Sequence, residues 1–587
     1  MISDKSWRYS TLVILLSFAG IYVIYRLVWI QMSPQAKIYQ SLGSAHSCEW
    51  KTIVPTRGEI LDRWGHLLAG NTKVYEVGAE LAEVKNPSAI ALALNAVVGA
   101  DYNQVFAAVN QLPSQKAVYV VLANNVTEEQ KARLEQLSGE IEAAYGNVNE
   151  GDAPSLAGLR FIPKLKRSYP ESELASNILG FVNYDGEGIF GVEEKFNGQL
   201  AGIPKKVCVP LDPNRVTELP QVPEGASITL TIDRALQAEI QGILYQALSD
   251  SGAENGTIVV MDPQTGEIMA MATTPLINLN EFWRLGEVFV DTTPFNPAVS
   301  KPYEPGSVFK VLTMSAALDS GVVQPSTPFL DTGVFEIGGV VIRNWNGGAW
   351  GPQDMIGCMQ HSLNVCLAWV ASQLGANRFY SYLKNFGIGQ LTGIELAGEA
   401  PGRLKQPGDS DWYEADLGTN AFGQGISATP IQMVMAASAL ANEGKMMTPR
   451  IVYSINDRGR EYLMPTRVAG MPISAEAART ITEMLATSLE VESSDALVPG
   501  YRVAGKTGTA EIPTPYGYTT YETNASFVGW GPTDDPRFLV YIWLEKPTVS
   551  PWGSVVAAPV FRQVVEHLVV YLNLPPDDVR KSLAMSH

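Results

Sequence analysis

Apolar and polar positions along this chain follow three patterns, and each predicts a different element. The first is an unbroken apolar run from Thr11 to Ile30, TLVILLSFAGIYVIYRLVWI. At about 1.5 Å per residue it can cross a bilayer core of about 30 Å. Its single charge, Arg26, lies near the far end, where a long side chain reaches the interface, and Tyr22, Tyr25 and Trp29 suit that boundary. The run predicts a transmembrane anchor over residues 10–31 behind a short tail, residues 1–9. A cleaved signal peptide with Leu12 to Ile24 as its apolar region, or a buried soluble helix, are the competing readings. Lys5 and Arg8 favour a cytoplasmic N-terminus, a vote that Arg26 and Lys37 weaken. Anchor and signal alike send the rest of the chain outside the cytoplasm.

The second pattern is short apolar segments punctuated by turn residues. PTRGEILDRWGHLLAGN, Pro55 to Asn71, reads as strands joined by tight turns. GTIVVMDPQTGEIMAMA, Gly256 to Ala272, is two apolar runs around a turn and predicts a hairpin. RFLVYIWLE, Arg537 to Glu545, is an aromatic and β-branched strand. The third pattern is helical. Asn86 to Leu137 is Ala-rich and reads as helix, while Asp233 can cap a helix carrying Leu236, Ile240, Ile243, Leu244 and Ala247 on one face. Val560, Phe561, Val564, Val565, Leu568, Val569 and Leu572 stripe a closing helix before Pro575-Pro576. Tyr145 to Leu159 reads as a loop or small insert. A boundary falls near Leu219 to Asp233, dividing residues 32–222 from 223–574, with 575–587 as a tail. The large second unit, with strands at both ends and helices between, is expected to be α/β (α+β) with a mainly antiparallel sheet.

Composition narrows the function. With 587 residues, 46% of them hydrophobic and 17% charged, the chain is globular rather than disordered. A net charge of -18 disfavours nucleic acid as a partner. The four cysteines, Cys48, Cys208, Cys358 and Cys366, form no C-x-x-C, and the five histidines form no H-E-x-x-H. No metal or cofactor is expected, and no G-x-S-x-G elbow supports a Ser-His-Asp hydrolase. An exported chain permits disulfides. Cys358 and Cys366 are close enough to pair, and four free buried thiols are an equally good reading.

Three segments carry candidate chemistry. In KPYEPGSVFKVLTMSAALDSG, Lys301 to Gly321, a Pro-Gly turn leads into an almost wholly apolar helix, hence a buried one. Ser307 and Lys310, three apart, share its face. A serine needs a neighbouring base, and a buried lysine with lowered pKa can supply it, while the helix N-terminus offers N–H groups to an oxyanion. In HSLNVCLAWVASQLG, Ser362 and Asn364 precede an apolar helix; Ser362 taken alone reads as its cap, and His361 as unremarkable surface. In RVAGKTGTAEI, a glycine-interrupted strand, Lys506, Thr507, Gly508 and Thr509 suit an edge that pairs with an extended peptide and holds its carboxylate. Strict alternation puts Lys506 and the threonines on opposite faces, and a strand end with a solvated lysine is as good a reading of that segment alone.

Taken together, S-x-x-K, S-x-N and K-T-G in this order resemble the serine penicillin-recognising enzymes. RGEILDRWGHLLA (Arg57 to Ala69), RSYPESELASNILG and GVEEKFNGQLAG resemble the non-catalytic pedestal of class B penicillin-binding proteins, and YEPGSVFK, AFGQGISATPIQ, AGKTGTAE and SFVGWGP resemble their transpeptidase domain. Leu363 within S-x-N and Glu171 in the pedestal depart from the commoner residues without removing a needed group.

The resemblance implies a single membrane helix, an elongated α+β pedestal serving dimerisation or partner binding, and a C-terminal transpeptidase domain. It implies that Ser307 attacks the penultimate carbonyl of a D-Ala-D-Ala stem peptide and that Lys310 takes the serine proton. Ser362 with Lys506 would relay a proton to the leaving amine, Asn364 would hold the substrate amide, and Thr507 and Thr509 would bind the terminal carboxylate. The acyl-enzyme then passes to an amino group of a neighbouring stem. Nascent peptidoglycan, β-lactams, a polytopic SEDS-type glycosyltransferase and other divisome membrane proteins are the implied partners. A division role is favoured over elongation. A class D-like β-lactamase or β-lactam sensor, a D,D-carboxypeptidase, and a membrane-anchored scaffold are the competing functions.

Overall fold

The computed structural model describes residues 6–38, 48–111, 118–145, 153–210, 222–290, 293–492, 494–514 and 517–584. Part of the insert expected at Tyr145 to Leu159 (residues 146–152), the start of the boundary segment at Leu219, and parts of both tails lie outside these residues. Two compact units result: residues 1–56 with 202–224, and residues 57–201 with 225–587.

Among its described residues the smaller unit includes the helix Ser6–Met32 and an antiparallel pair, Cys48–Ile53 with Lys205–Pro210. From Trp7 to Met32 the mean hydropathy is 2.1 and none of the helix is buried. An apolar surface of this length standing free of any protein core is suited to a single membrane crossing. Gly553–Tyr571 is also long and apolar, but half of it is buried and it belongs to the core of the larger unit.

In the larger unit a five-stranded antiparallel sheet runs in the order Ile268–Thr273, Asn255–Met261, Phe538–Glu545, Gly517–Gly531, Ala504–Thr514. The predicted hairpin supplies the first two strands, and Phe538–Glu545 is the middle one. That strand has no polar face because both of its faces are covered. Phe538, Val540, Ile542 and Leu544 enter one apolar cluster with the Arg234–Ser251 and Ala558–Tyr571 helices. Leu539, Tyr541 and Trp543 enter the other, with the Lys310–Asp319 and Pro430–Ala441 helices. Successive side chains of one strand thus anchor opposite helical layers. Each large apolar side chain buried this way contributes about 1.5–3 kcal/mol. Asp233 accepts from the Leu236 amide at 2.9 Å, the predicted cap.

A second, seven-stranded sheet joins the N-terminal segment to the C-terminal one. Ile60–Leu61 lies parallel to Ser227–Leu230 and antiparallel to Leu67–Glu80. The uniform helix expected over Asn86 to Leu137 is corrected here: helices Pro87–Val98 and Tyr102–Val109 are followed by a strand, Tyr119–Val126, and then by helix Glu128–Tyr145. The aromatic and β-branched start of YVVLANNV pairs with Leu67–Glu80, and the pleated surface suits it better than a helix does.

A charged hub closes this N-terminal segment. Glu193 is fully buried between two guanidinium groups: Arg57 Nη2 at 2.6 Å and Arg167 Nε at 2.7 Å. The same arginines donate onward to Asn197 Oδ1 (2.9 Å) and the Gly58 carbonyl (2.7 Å). Among the cysteines, the choice left open by spacing is settled against free thiols: Cys358 and Cys366 form a disulfide, and Cys208 is also disulfide-bonded.

Candidate active site

Gly306–Phe309 forms one 3₁₀ turn that runs into the Lys310–Asp319 helix. Gly306 has φ of 60°, and a Cβ there would stand 2.8 Å from Ala510 Cβ and 2.9 Å from the Thr509 carbonyl. Gly508 is equally constrained: a Cβ would overlap the Ser526 hydroxyl and come within 2.9 Å of Val308. Two glycines therefore let the start of this helix press against the Ala504–Thr514 strand, which is the sheet's edge. Ser307 and the K-T-G strand become neighbours for that reason.

Lys310 has no exposed surface. Its Nζ donates to the Ser362 carbonyl (2.6 Å), to Ser362 Oγ (3.1 Å) and to Asn364 Oδ1 (2.8 Å). Every one of these acceptors is neutral. Burial holds the amine well below the ordinary lysine pKa of 10.5, and the positive charge of Lys506 pushes the same way. The Asn364 amide is oriented by donating to the Arg343 carbonyl at 3.2 Å. Lys506 is only 5% exposed. Burial brings its pKa down to about 8, partly offset by the negative charge of Glu492.

Ser307, Ser362, Asn364, Lys506, Thr507 and Thr509 line one cleft of about 700 Å³. Lys310 lies beneath it, and Gly508 supports the wall through its packing on Val308 rather than by lining the cavity. The three motifs that the chain separates by nearly two hundred residues thus converge.

One question that alternation left open is answered by this geometry, and one reading is corrected. Lys506, Thr507 and Thr509 line the same cleft. The strand is an edge, and the long lysine side chain curls back to donate to the Thr507 carbonyl at 3.3 Å, so residues from both faces reach the same cleft. Ser362 is not the cap of the Asn364–Leu374 helix. Leu363 holds the cap position without a side-chain bond, and Ser362 has φ of 53°, with its oxygens turned to Lys310. His361, read as unremarkable, also lines the cleft; its ring stacks on Trp350 at 4.0 Å and its Nδ1 meets the Glu492 carboxylate. Arg343, Trp345 and Trp552 on the rim were not singled out either. Nothing in their local sequence marks them, because they arrive from a hairpin, a loop and a helix start that only the fold brings together.

A serine at a helix start, a buried amine of lowered pKa behind it and a hydroxyl-lined edge strand in front are the groups that acyl transfer of the serine–lysine type would use. Residues 256–566 match the penicillin-binding protein transpeptidase domain, and residues 52–220 match the penicillin-binding protein dimerisation domain. The chain belongs to the penicillin-binding protein transpeptidase family. Among its relatives, PbpB of Mycolicibacterium smegmatis is 31% identical over 86% of this chain and 78% of its own. Peptidoglycan D,D-transpeptidase FtsI of Escherichia coli K12 is 27% identical over 97% and 93%. Penicillin binding protein 3 of Mycobacterium tuberculosis, solved with aztreonam, superposes with a TM-score of 0.68 at 25% identity, covering 90% of this chain and 98% of that one.

Proposed function

We propose that this protein is a peptidoglycan D,D-transpeptidase of the FtsI type, a penicillin target that cross-links stem peptides in septal wall synthesis. The observation that carries the reading is Lys310: a fully buried amine with only neutral acceptors, directly beneath a cleft that exposes Ser307. Burial lowers the amine's pKa well below the ordinary lysine value, the direction a general base requires.

Ser307 Oγ attacks the penultimate D-Ala carbonyl and its proton passes to Lys310. The oxyanion is held by the Ser307 and Thr509 amides. Thr507 and Thr509 hold the terminal carboxylate, and Ser362, coupled to Lys506, returns a proton to the departing D-Ala amine. An amino group of a second stem then attacks the acyl-enzyme, forms the cross-link and releases Ser307. A β-lactam carries a strained amide in the donor's place and its leaving group stays tethered, so the acyl-enzyme persists. The apolar Ser6–Met32 helix supports a single-pass anchor in the inner membrane, with the N-terminus cytoplasmic and the bulk of the chain outside. We assign residues 32–222 to the pedestal and 223–574 to the transpeptidase, and take a polytopic SEDS-type glycosyltransferase and other divisome membrane proteins as the partners.

The test is intact-mass analysis of the detergent-solubilised chain after incubation with benzylpenicillin. A lasting adduct mapping to Ser307, absent from Ser307→Ala, is the expected result. Rapid hydrolysis without an adduct would favour the β-lactamase reading. A folded sample that neither binds nor hydrolyses the drug would favour a scaffold.

A further inference from the structure

All three acceptors that hold Lys310 Nζ come from one short turn, and that turn is closed by the Cys358–Cys366 disulfide. Cys358 belongs to the Met355–Gln360 helix and Cys366 to the Asn364–Leu374 helix, and both are completely buried. Between them Ser362 takes the left-handed conformation, φ 53°, which a residue with a Cβ adopts at a cost and keeps only when its surroundings over-determine it. The backbone hydrogen bonds at this point include His361 N to the Gly357 carbonyl at 2.9 Å, Ser362 N to the Met359 carbonyl at 3.3 Å and Leu363 N to the Cys358 carbonyl at 3.0 Å. From outside the turn, Trp345 Nε1 donates to the His361 carbonyl at 3.1 Å.

We propose that the Cys358–Cys366 disulfide is a positioning device for the reaction: it fixes the Ser362–Asn364 turn so that its oxygens hold the Lys310 amine toward Ser307 and exclude water from it. This rests on the assignment of Ser307 and Lys310 as nucleophile and base. The two cysteines act through Ser362 and Asn364 and touch no substrate. With the bridge absent, the two helix ends are held by the turn, its backbone hydrogen bonds and their apolar packing alone. Ser362 can then relax toward ordinary backbone angles, which carries its carbonyl and hydroxyl away from Lys310 Nζ. Solvent entering behind the turn would lessen the desolvation that lowers the amine's pKa. The other charged groups facing the cleft are Lys506 and Glu511 from the edge strand, Glu492 from the Ala475–Glu492 helix, Arg343 from the hairpin and His361 from the turn, and none of them is removed with the bridge.

The experiment compares the full-length wild type with Cys358→Ala/Cys366→Ala. The second-order rate constant for acylation by a fluorescent penicillin is measured across pH, with thermal unfolding and near-UV circular dichroism followed in parallel. Acylation by the folded double variant is expected to fall roughly ten- to a hundredfold, the loss that a misplacement of about 1 Å brings. Its acid limb is expected to move toward higher pH as Lys310 is rehydrated. A lower melting temperature with the rate constant and pH profile of the wild type would overturn the proposal, since a purely structural bridge predicts that outcome. Should the double variant fail to fold, folded wild type is treated with a phosphine and then labelled, and the Cys358 and Cys366 thiols are mapped afterwards by alkylation and mass spectrometry. Undiminished labelling of molecules with both thiols free also overturns it. Wild type that is not labelled at Ser307 would instead refute the underlying site assignment, so the two failures are distinguishable.

Discussion

Two buried charge clusters in the larger unit are built on opposite principles. Around Glu193 the charges are matched: a carboxylate lies between the Arg57 and Arg167 guanidiniums, and the remaining donors reach Asn197 and the Gly58 carbonyl. Around Lys310 they are not. Two amines of like sign, Lys310 and Lys506, are buried near one another and no carboxylate touches Lys310. A matched cluster pairs each charge and fastens the Arg57 segment to the Glu193 helix. An unmatched cluster makes the charged forms costly, so the amines give up their protons readily. Removing a charge should therefore weaken the fold in the first cluster and weaken only the chemistry in the second.

Lys310→Met tests the largest effect. Methionine fills much the same volume, so the fold should be as stable as wild type or more so, because a buried amine that is costly to ionise is gone. Acylation by penicillin should drop by about 10²- to 10⁴-fold, the usual worth of a general base. A stopped-flow assay beside thermal unfolding measures both. A variant that unfolds yet still acylates would reverse the comparison.

Glu193→Gln should do the opposite. Leaving Arg57 and Arg167 without their carboxylate is expected to cost about 3–5 kcal/mol of stability. Penicillin labelling per folded molecule should stay at the wild-type level. Chemical denaturation with labelling of the folded fraction tests this, and wild-type stability would show that the hub is not a structural tie.

The smallest effect concerns pH. Lys506 has a folded pKa of about 8 against an ordinary 10.5. Between these values the unfolded chain binds the extra proton, so stability should rise with pH, and below about 8 the cost of the buried charge is present in full. Tyrosine ionisation complicates the upper end, so the useful quantity is the difference between wild type and Lys506→Met over the lower part of that window. Wild type should gain on the variant as pH rises. Parallel curves would mean that Lys506 is solvated.

Much of the architecture was legible in the chain. The Asp233 cap, the Gly256 to Ala272 hairpin and the stripe from Val560 to Val569 are local patterns, and local patterns survive folding. The Tyr119–Val126 strand was masked by the Ala-rich segments on either side, because a strand's pairing partner lies far away in sequence. The site shows the same division more sharply. Ser307 with Lys310, and Ser362 with Asn364, could be picked out by residue type and spacing because a helix start and a turn each fix their own few residues. That Lys506 joins Thr507 and Thr509 in one cleft could not be read from simple alternation and depends on the strand being an edge.

The sequence by itself determined the candidate reactive groups, the helix that buries Lys310 and the apolar Ser6–Met32 segment, since each follows from side-chain chemistry at short range. Only the tertiary structure decided that Lys310 meets three neutral oxygens, that Ser362 serves the amine instead of capping a helix, and that a disulfide closes that turn. Those features depend on which distant surfaces exclude water and which backbones approach within hydrogen-bonding reach. Both are properties of packed layers, and no local stretch of chain carries them.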